Sequence, residues 1–453
     1  MPDRRAELLR WAVALALLAP VIALYAAHYL LLPQELFAHG FIQYDQPYYM
    51  ANAREHFDGG FSLTYGLPFS TDYDTPRIYV QPLSLLLGTV WELTRFDPGA
   101  IYVVAGLIFG LICLRLAVAL YEALFGLAGF GQRLGLVLFI WGGGVFALAG
   151  AAFMVAKGLG DPADLLIFDP ARGWWFFNFG RNLVYPTEAL YHLLTVAILL
   201  SLLRRRFAWA ALLCLLLSIS HPYAGLQVAL TLLVWAAVER FFLLRSETVP
   251  RWFVPAIAAV LIFHLGYYMG VLATSEEHRQ TVALWQRNIP GLIGWMPIGG
   301  GYVLVGALAL WRLRERDRAG EALAVPHNRL FLFYFLVSFS LANHEFLISP
   351  HQPIHFTRGH IWTPLFLLGA PVLIALLERI WSALRPWLRW AGVTVVAGLF
   401  LLDNLVFFAV TIPEMAVQPT NAPTVSDDER ALLRQLDDPR FEGYLVVLSL
   451  IHI

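Results

Sequence analysis

Long apolar runs, interrupted by short arginine-rich segments, make up most of this chain. Of its 453 residues, 59% are hydrophobic and only 14% are charged. A soluble domain of this length does not reach such a balance, whereas a helix that crosses a bilayer needs about 20 consecutive apolar residues. The pattern therefore predicts an all-α polytopic membrane protein.

The arginine clusters between the apolar runs predict the topology, because positive side chains are enriched in cytoplasmic loops. The clusters are Arg4, Arg5 and Arg10 at the N-terminus, then 204–206, 240–251, 312–318 and 379–389. We expect about 11 transmembrane helices in a bacterial cytoplasmic (inner) membrane, with the N-terminus cytoplasmic and the C-terminus extracytoplasmic. The spans are expected near 11–32, 99–123, 134–155, 188–203, 207–220, 222–239, 252–273, 292–311, 329–347, 361–379 and 390–411.

One apolar run, Ile78–Leu93, is too short for a comfortable span. If it crossed the membrane, the cluster at 204–206 would lie outside, against the positive-inside rule. We therefore predict a juxtamembrane helix at about 78–96 on the outer side. It belongs to a large first extracytoplasmic loop, residues 33–98.

The end of the chain has a different pattern. Ser426 and the acidic residues after it are typical of the start of an amphipathic helix, and 443–447 is typical of a strand. One helix and one strand do not make a domain. We therefore predict a transmembrane domain over 1–412 and the start of a truncated extracytoplasmic α/β domain over 413–453.

Composition and motifs also exclude some functions. The formal net charge of −1 argues against a polybasic nucleic-acid binder. A phosphate-binding loop of the ATPase type is absent from the sequence, which makes ATP-driven transport by this chain unexpected. The glycine run Gly142-Gly143-Gly144 lies within a predicted span and is expected to permit close packing of helices.

The first loop has the richest set of polar side chains. Asp45 lies among tyrosines just after the first span, where a partly buried carboxylate can act as a base. The alternative is that Asp45 only caps a helix that begins at Pro47. Asp72 and Asp74, later in the same loop, are further candidates for substrate binding.

A second candidate group begins in the outward segment 156–187. Arg181 lies there, and Glu188 and His192 follow at i and i+4 on one face of a helix entering the membrane. Ionisable groups at such a depth usually face a cavity or each other. A zinc pair is an alternative, although no third ligand has matching placement. The pair Trp174-Trp175 is typical of an interfacial belt.

Two further residues mark the outward side. His221 precedes Pro222 at a helix break, and Arg358 precedes a late span, where a guanidinium can bind a phosphate in forked geometry. Alternatively, Arg358 only snorkels to the lipid headgroups. The histidines at 344, 351, 355 and 360 have no spacing typical of a compact ligand set, so we predict no metal site from them.

The order of these features resembles the GT-C superfamily of polytopic membrane glycosyltransferases. The resemblance covers nearly the whole chain and depends mainly on Tyr44-Asp45-Gln46-Pro47-Tyr48 after the first span, followed by a juxtamembrane helix and about ten more spans. Within that superfamily the chain looks like an uncharacterised bacterial branch. The His-Pro-Tyr break at 221–223 and the segment His355–Gly359 mark this branch.

The resemblance implies a function and roles for two residues. Asp45 would be the catalytic base, and Arg358 would bind the phosphate of a polyprenyl-phosphate sugar, whose sugar passes to a glycan, lipid or protein acceptor. The second acidic residue of the family motif is replaced by Gln46, which leaves open whether a divalent cation is needed. Rival hypotheses are a transporter or flippase of a lipid-linked glycan, and a non-catalytic membrane scaffold. Expected partners are the sugar lipid, the acceptor and membrane lipid, with no nucleic acid.

Overall fold

The computed structural model is almost entirely helical. It describes residues 4–33, 36–43, 45–67, 76–175, 177–243, 248–288, 301–314, 316–349 and 352–417, together with 425–426, 431 and 435. The helices are α1 Arg4–Leu30, α2 Gln46–Glu55, α3 Pro82–Thr94, α4 Pro98–Phe125, α5 Phe130–Trp141, α6 Phe146–Lys157, α7 Pro186–Leu203, α8 Phe207–Ser220, α9 Pro222–Ala237, α10 Phe253–Leu265, α11 Glu276–Asn288, α12 Tyr302–Leu313, α13 Arg316–Ala324, α14 Pro326–Ala342, α15 Trp362–Ala383 and α16 Pro386–Val417. Two short strands, β1 Leu36–Phe37 and β2 Val425–Ser426, also lie in the described part of the chain.

Seven helices in the described part of the chain are long and apolar enough to cross a membrane. An eighth span is possible if α5 and α6, which are bent by 60° relative to each other, count as one. Helices α8 and α12 are apolar but shorter. The all-α membrane architecture is thus confirmed, whereas the expected count of about 11 spans is not.

The chain divides into two compact units, Met1–Leu18 with Phe109–Phe407, and Ala19–Ile108 with Phe408–Ile453. In the first unit α7, α8, α9 and α10 pack in succession, α9 packs on α14, and α15 packs on α14, α12 and α5. Several of these helices begin with proline in the first turn, where its missing N–H costs nothing. The buried face of α7 is the most extensive among the long helices, so this helix lies in the core of the unit.

The second unit contains the first loop. Helix α3 confirms a helix within the 78–96 segment, and it packs on α2. A side chain at Gly88 would collide with the backbone of Ala53 on α2, so this packing requires glycine. Strand β1 pairs antiparallel with β2, which places Ser426 in a strand. The predicted α/β domain is not confirmed, since nearly all of 413–453, including 443–447, lies outside the described residues.

The predicted span 134–155 is not one continuous helix. It breaks at residues 142–145, between α5 and α6, and Gly144 has a φ of 155°. Close packing at this glycine run is present as expected, because a side chain at Gly142 would collide with the indole of Trp362.

Two neighbouring residues of α16 satisfy the backbone groups that this break exposes. The Asp403 carboxylate accepts hydrogen bonds from the N–H groups of Phe146 and Ala147, at 2.9 and 2.8 Å. The amide of Asn404 donates to the carbonyl of Trp141 at the end of α5. Each helix end at the break is therefore capped from α16, which offsets the cost of burying free backbone groups.

We expect Asp403→Ala to destabilise the protein by about 1–3 kcal/mol, because two buried N–H groups lose their acceptor. Thermal unfolding in detergent would measure the change. Leu405→Ala is the matched control, since Leu405 lies on the same helix and is 61% exposed. Equal effects of the two substitutions would contradict the capping role of Asp403.

Candidate functional site

The segment 352–360, between α14 and α15, carries Arg358, the residue predicted to bind a phosphate. It contains a short 3-10 turn at Pro353–Phe356, and it has positive φ at Gln352 (47°) and Gly359 (70°). Side chains from three other elements hold its carbonyl groups: Gln227 donates to Phe356 at 3.0 Å, Trp175 to Ile354 at 3.3 Å, and Tyr302 to Thr357 at 3.4 Å. The segment is thus a buried, anchored connection.

Arg358 forms an ion pair with Glu188, which lies in the first turn of α7. The side chain of Arg358 is 14% exposed and that of Glu188 is 2% exposed, so the pair lies inside the protein. The guanidinium also lies over the ring of Trp175, 4.4 Å from its centroid, in cation–π geometry. Arg358 therefore does not snorkel to the lipid headgroups, which was the alternative interpretation, because its guanidinium is held inside the protein.

His192 joins α7 to the same segment. Its Nδ1 lies 2.9 Å from the carbonyl oxygen of Glu188, and its Nε2 lies 3.0 Å from the carbonyl oxygen of Arg358. The structure therefore brings together Glu188, His192 and Arg358, which the sequence offered as two separate candidate groups. We call these three residues the Arg358 site.

Other aromatic and imidazole rings surround the Arg358 site. His355 stacks on Tyr223 with ring centroids 4.5 Å apart and meets the edge of Trp175 at 5.1 Å. His360 stacks on His192 at 5.2 Å, and its Nδ1 lies 2.5 Å from the hydroxyl of Tyr334. These contacts leave the guanidinium in a setting that is poor in water and rich in aromatic surface.

Three histidines near the site, all in connections between helices, are poor bases. Burial lowers the pKa of His221 to about 4, although the Glu188 carboxylate acts in the opposite direction. Burial also holds the pKa of His355 and of His360 well below the ordinary value, and the positive charge of Arg358 adds to this. His221, His355 and His360 are therefore neutral at pH 7.

The low pKa of His221 predicts acid sensitivity. Its ordinary pKa is 6.5, so the unfolded chain takes up the proton first as the pH falls. The stability that depends on neutral His221 is complete above pH 6.5 and is lost as the pH falls toward 4. Linkage gives a loss of about 2 kcal/mol at pH 5. Between pH 7 and pH 5, the melting temperature of His221→Gln should fall less than that of wild type. An equal fall in the two proteins would contradict the prediction.

Asp45 lies in the second unit, at the N-cap position of α2. The helix begins at Gln46, close to the predicted start, but the Asp45 side chain makes no capping hydrogen bond to it. The next residue, Gln46, fixes the chain that precedes the helix, because its amide oxygen accepts a hydrogen bond from the backbone N–H of Ile42 at 2.8 Å. The half-buried Asp45 carboxylate therefore does not serve the helix-capping role that was the alternative to catalysis.

Arg181 is in a different environment from Arg358. Its side chain is 2% exposed and pairs with the buried Asp169 at 2.6 Å. It also donates to Asn404, at the helix break, and lies over the ring of Phe407. These contacts join Arg181 to the break between α5 and α6, and its role in substrate binding stays a prediction.

The remaining candidates concern metal binding and the first loop. Asp72 and Asp74 lie outside the described residues. Within the described ranges, His, Cys, Asp and Glu side chains form no group of three or more that could hold a metal ion. Dependence on a divalent cation therefore remains a prediction.

Comparison with solved structures shows similarity to the oligosaccharyltransferase of Archaeoglobus fulgidus. The form tethered to an acceptor peptide containing the NVT sequon aligns with a TM-score of 0.52 and 10% identity, over 97% of this chain and 58% of that chain. The apo form aligns with a TM-score of 0.51 and 11% identity, over 97% of this chain and 59% of that chain. This chain has the GT-C fold. No family model matches the sequence, and no curated protein matches it significantly.

The similarity confirms the resemblance to GT-C membrane glycosyltransferases as a statement about fold. The chain spans less than two thirds of the length of these GT-C structures, at 58% and 59%. A shared fold does not show that this chain has the substrates or the activity of the oligosaccharyltransferase.

Sequence reasoning missed several side chains that support the site in this GT-C fold. Trp175 was interpreted as part of an interfacial belt, yet its ring lies under the Arg358 guanidinium. Tyr334 and Gln227 were not singled out, although both contact the segment 352–360. Gln227 carried a usable signal, because an amide inside an apolar span usually has a specific partner.

Proposed function

We propose that this chain is a membrane glycosyltransferase that moves a sugar from a polyprenyl-phosphate donor to an acceptor. The reaction would take place on the extracytoplasmic face of a bacterial cytoplasmic membrane, and the acceptor would be a glycan, a lipid or a protein. The observation that carries the proposal is Arg358, a guanidinium only 14% exposed and held by Glu188 and Trp175, three residues before Ile361 in the lining of an apolar groove.

The groove lies among α12, α14 and α15 and has a volume of about 280 Å³. Apart from Tyr302, apolar side chains and Gly306 line it, including Leu332, Phe339 and Leu365. Tyr302 connects the groove to the site, because its hydroxyl donates to the carbonyl of Thr357, the residue before Arg358. Such an arrangement suits a ligand with an isoprenoid tail in the groove and a phosphate near the guanidinium.

The resemblance to GT-C glycosyltransferases assigns separate roles to Asp45, in the second unit, and to Arg358, in the first. Asp45 takes the proton of an acceptor hydroxyl while that oxygen forms a bond to the anomeric carbon of the sugar. The bond from the anomeric carbon to the phosphate oxygen breaks, and its electron pair leaves with the lipid phosphate. Arg358 stabilises this leaving group, since a fixed guanidinium binds a phosphate more strongly as negative charge develops on it. The result is transfer with inversion at the anomeric carbon.

Mass spectrometry of the lipids retained by the purified protein, followed by a transfer assay, tests the proposal. We expect a polyprenyl-phosphate sugar among the retained lipids, and transfer of its labelled sugar to an acceptor extract. Retention of bulk phospholipid alone would reject the donor. Retention of the sugar lipid with its movement across vesicles, but without transfer, would instead identify a flippase.

A further inference from the structure

The turn at residues 169–175 has an unusual backbone. Ala171, Arg172 and Gly173 are three consecutive residues with positive φ, at 51°, 50° and 86°. Residues other than glycine seldom adopt such a conformation, because the β-carbon then lies too close to the backbone. Two of the three are not glycine, so the turn persists only because its surroundings hold it.

Arg181 holds the 169–175 turn at two points. Its Nη1 donates to the Asp169 carboxylate at 2.6 Å and to the carbonyl oxygen of Gly173 at 3.0 Å. Burial raises the pKa of Asp169 and the guanidinium lowers it, but the carboxyl oxygen accepts this hydrogen bond in either protonation state. Arg181 is itself fixed, because its Nε donates to Asn404 and its guanidinium lies 4.7 Å from the ring centroid of Phe407.

Close packing at Gly173 holds the turn against this guanidinium. A β-carbon at Gly173 would lie 2.6 Å from the ring of Phe407 and 3.1 Å from Nη1 of Arg181. Ala171 is exposed instead, so its positive φ comes from the conformation of the turn and not from the packing of its side chain. The strain is therefore in the backbone, and the support comes from Arg181.

The turn ends at Trp175, the residue whose ring lies under the Arg358 guanidinium. The backbone N–H of Trp175 donates to the carbonyl oxygen of Pro170 at 3.2 Å, which ties the residue to the turn. Its indole N–H donates to the carbonyl oxygen of Ile354 at 3.3 Å, and the guanidinium of Arg358 lies 4.4 Å from its ring centroid. The backbone of the turn thus sets the position of the ring on which Arg358 stacks.

We propose that Arg181 is a positioning residue for the Arg358 site. It holds the strained turn, the turn sets the ring of Trp175, and the ring fixes the guanidinium of Arg358. A guanidinium held in this way loses little freedom when it binds a phosphate, so the support strengthens binding of the donor. Arg181 is 2% exposed and acts through Trp175, not by contact with the lipid. The effect on the donor rests on the proposed function, whereas the link from Arg181 to Trp175 does not.

Two substitutions at the exposed Ala171 test the turn without removing its contacts. Valine is β-branched and disfavours positive φ, whereas glycine accepts it, so Ala171→Val should distort the turn and Ala171→Gly should not. Fluorine NMR of protein labelled with 5-fluorotryptophan reports on the ring, with the Trp175 signal assigned from its loss in Trp175→Leu. We expect this signal to shift in Ala171→Val and to stay in place in Ala171→Gly. An unmoved signal in Ala171→Val would overturn the proposal.

Arg181→Lys tests the support itself by the same measurement. Lysine keeps the positive charge beside Asp169 but lacks the planar fork of donors, so it cannot hold Asp169 and Gly173 in the same geometry. Arg329→Lys is the matched control, since Arg329 is also buried in an ion pair, with Glu239. The Trp175 signal should shift in Arg181→Lys and not in Arg329→Lys. Equal spectra for the two variants at this signal would remove Arg181 from the positioning role.

Donor binding tests the consequence for the Arg358 site. A short-chain polyprenyl-phosphate sugar, titrated into the protein in nanodiscs, should bind about tenfold more weakly to Ala171→Val and to Trp175→Leu than to wild type. Because both substitutions act through the same ring, the double variant should bind no more weakly than Trp175→Leu alone. Additive losses would overturn the positioning role. A Trp175 signal that shifts as expected, in a protein that binds no sugar lipid, would instead refute the proposed function.

Discussion

Replacing Asp45 by asparagine is expected to lower sugar transfer by about 10²–10⁴-fold, the usual contribution of a general base. Asparagine keeps the size of the side chain and can still occupy the N-cap position of α2, but it cannot accept the proton of the acceptor hydroxyl. Because the Asp45 side chain makes no capping hydrogen bond to α2, the substitution should leave the start of α2 unchanged. The donor lipid should remain bound, since the phosphate contact is assigned to another residue.

The experiment combines a transfer assay with mass spectrometry of the retained lipid. Asp58→Asn is the matched control, because Asp58 follows the same helix and is 50% exposed in an ion pair with Arg54. It should have wild-type activity. Undiminished transfer by Asp45→Asn would exclude Asp45 as the base and make Asp72 and Asp74 the next residues to test.

Loss of the Arg358 guanidinium is expected to remove the donor lipid. The single substitution Arg358→Ala is a poor test, because it leaves the buried Glu188 carboxylate without its counter-ion, at a cost of about 3–5 kcal/mol. The double substitution Glu188→Gln with Arg358→Gln removes both charges together. It should fold with stability close to wild type and bind the donor at least tenfold more weakly.

Arg358→Lys separates charge from geometry. Lysine keeps the positive charge but loses the planar fork and its stacking on Trp175, so we expect intermediate donor retention.

A second buried ion pair, Arg329 with Glu239, offers the matched control for the double substitution of Glu188 and Arg358. The double substitution Glu239→Gln with Arg329→Gln should retain the lipid. Full donor retention by the Glu188 and Arg358 double variant would remove Arg358 from the donor site.

Several helices were predictable because hydropathy is a local property. The spans expected at 99–123 and 188–203 correspond to Pro98–Phe125 and Pro186–Leu203 within a few residues. The same reasoning failed at 134–155, because the glycine run 142–144 was interpreted only as a site of close helix packing, whereas the helix breaks there. The break is stable because Asp403 and Asn404, more than 250 residues further along the chain, supply the missing hydrogen bonds.

The candidate site shows the same division. The i, i+4 spacing placed Glu188 and His192 on one face of a helix, and the charge of Arg358 near the outer side marked it as a candidate. Their association was not predictable, since Glu188 and Arg358 are 170 positions apart. Likewise, the position of Asp45 before Pro47 indicated an N-cap, whereas the absence of a capping hydrogen bond appears only in the geometry.

By itself, the sequence determined that most of this protein lies in a lipid bilayer, and it identified the charged side chains that lie in or near the apolar helices. Both follow from residue type and order alone, because these set the free energy of moving a side chain from water to lipid. The tertiary structure decided which of those charges meet. Arg358 became a fixed cation because α7 places Glu188 and His192 against the segment 352–360, and ion pairing in a water-poor interior depends on distances of a few ångströms that a linear pattern does not contain.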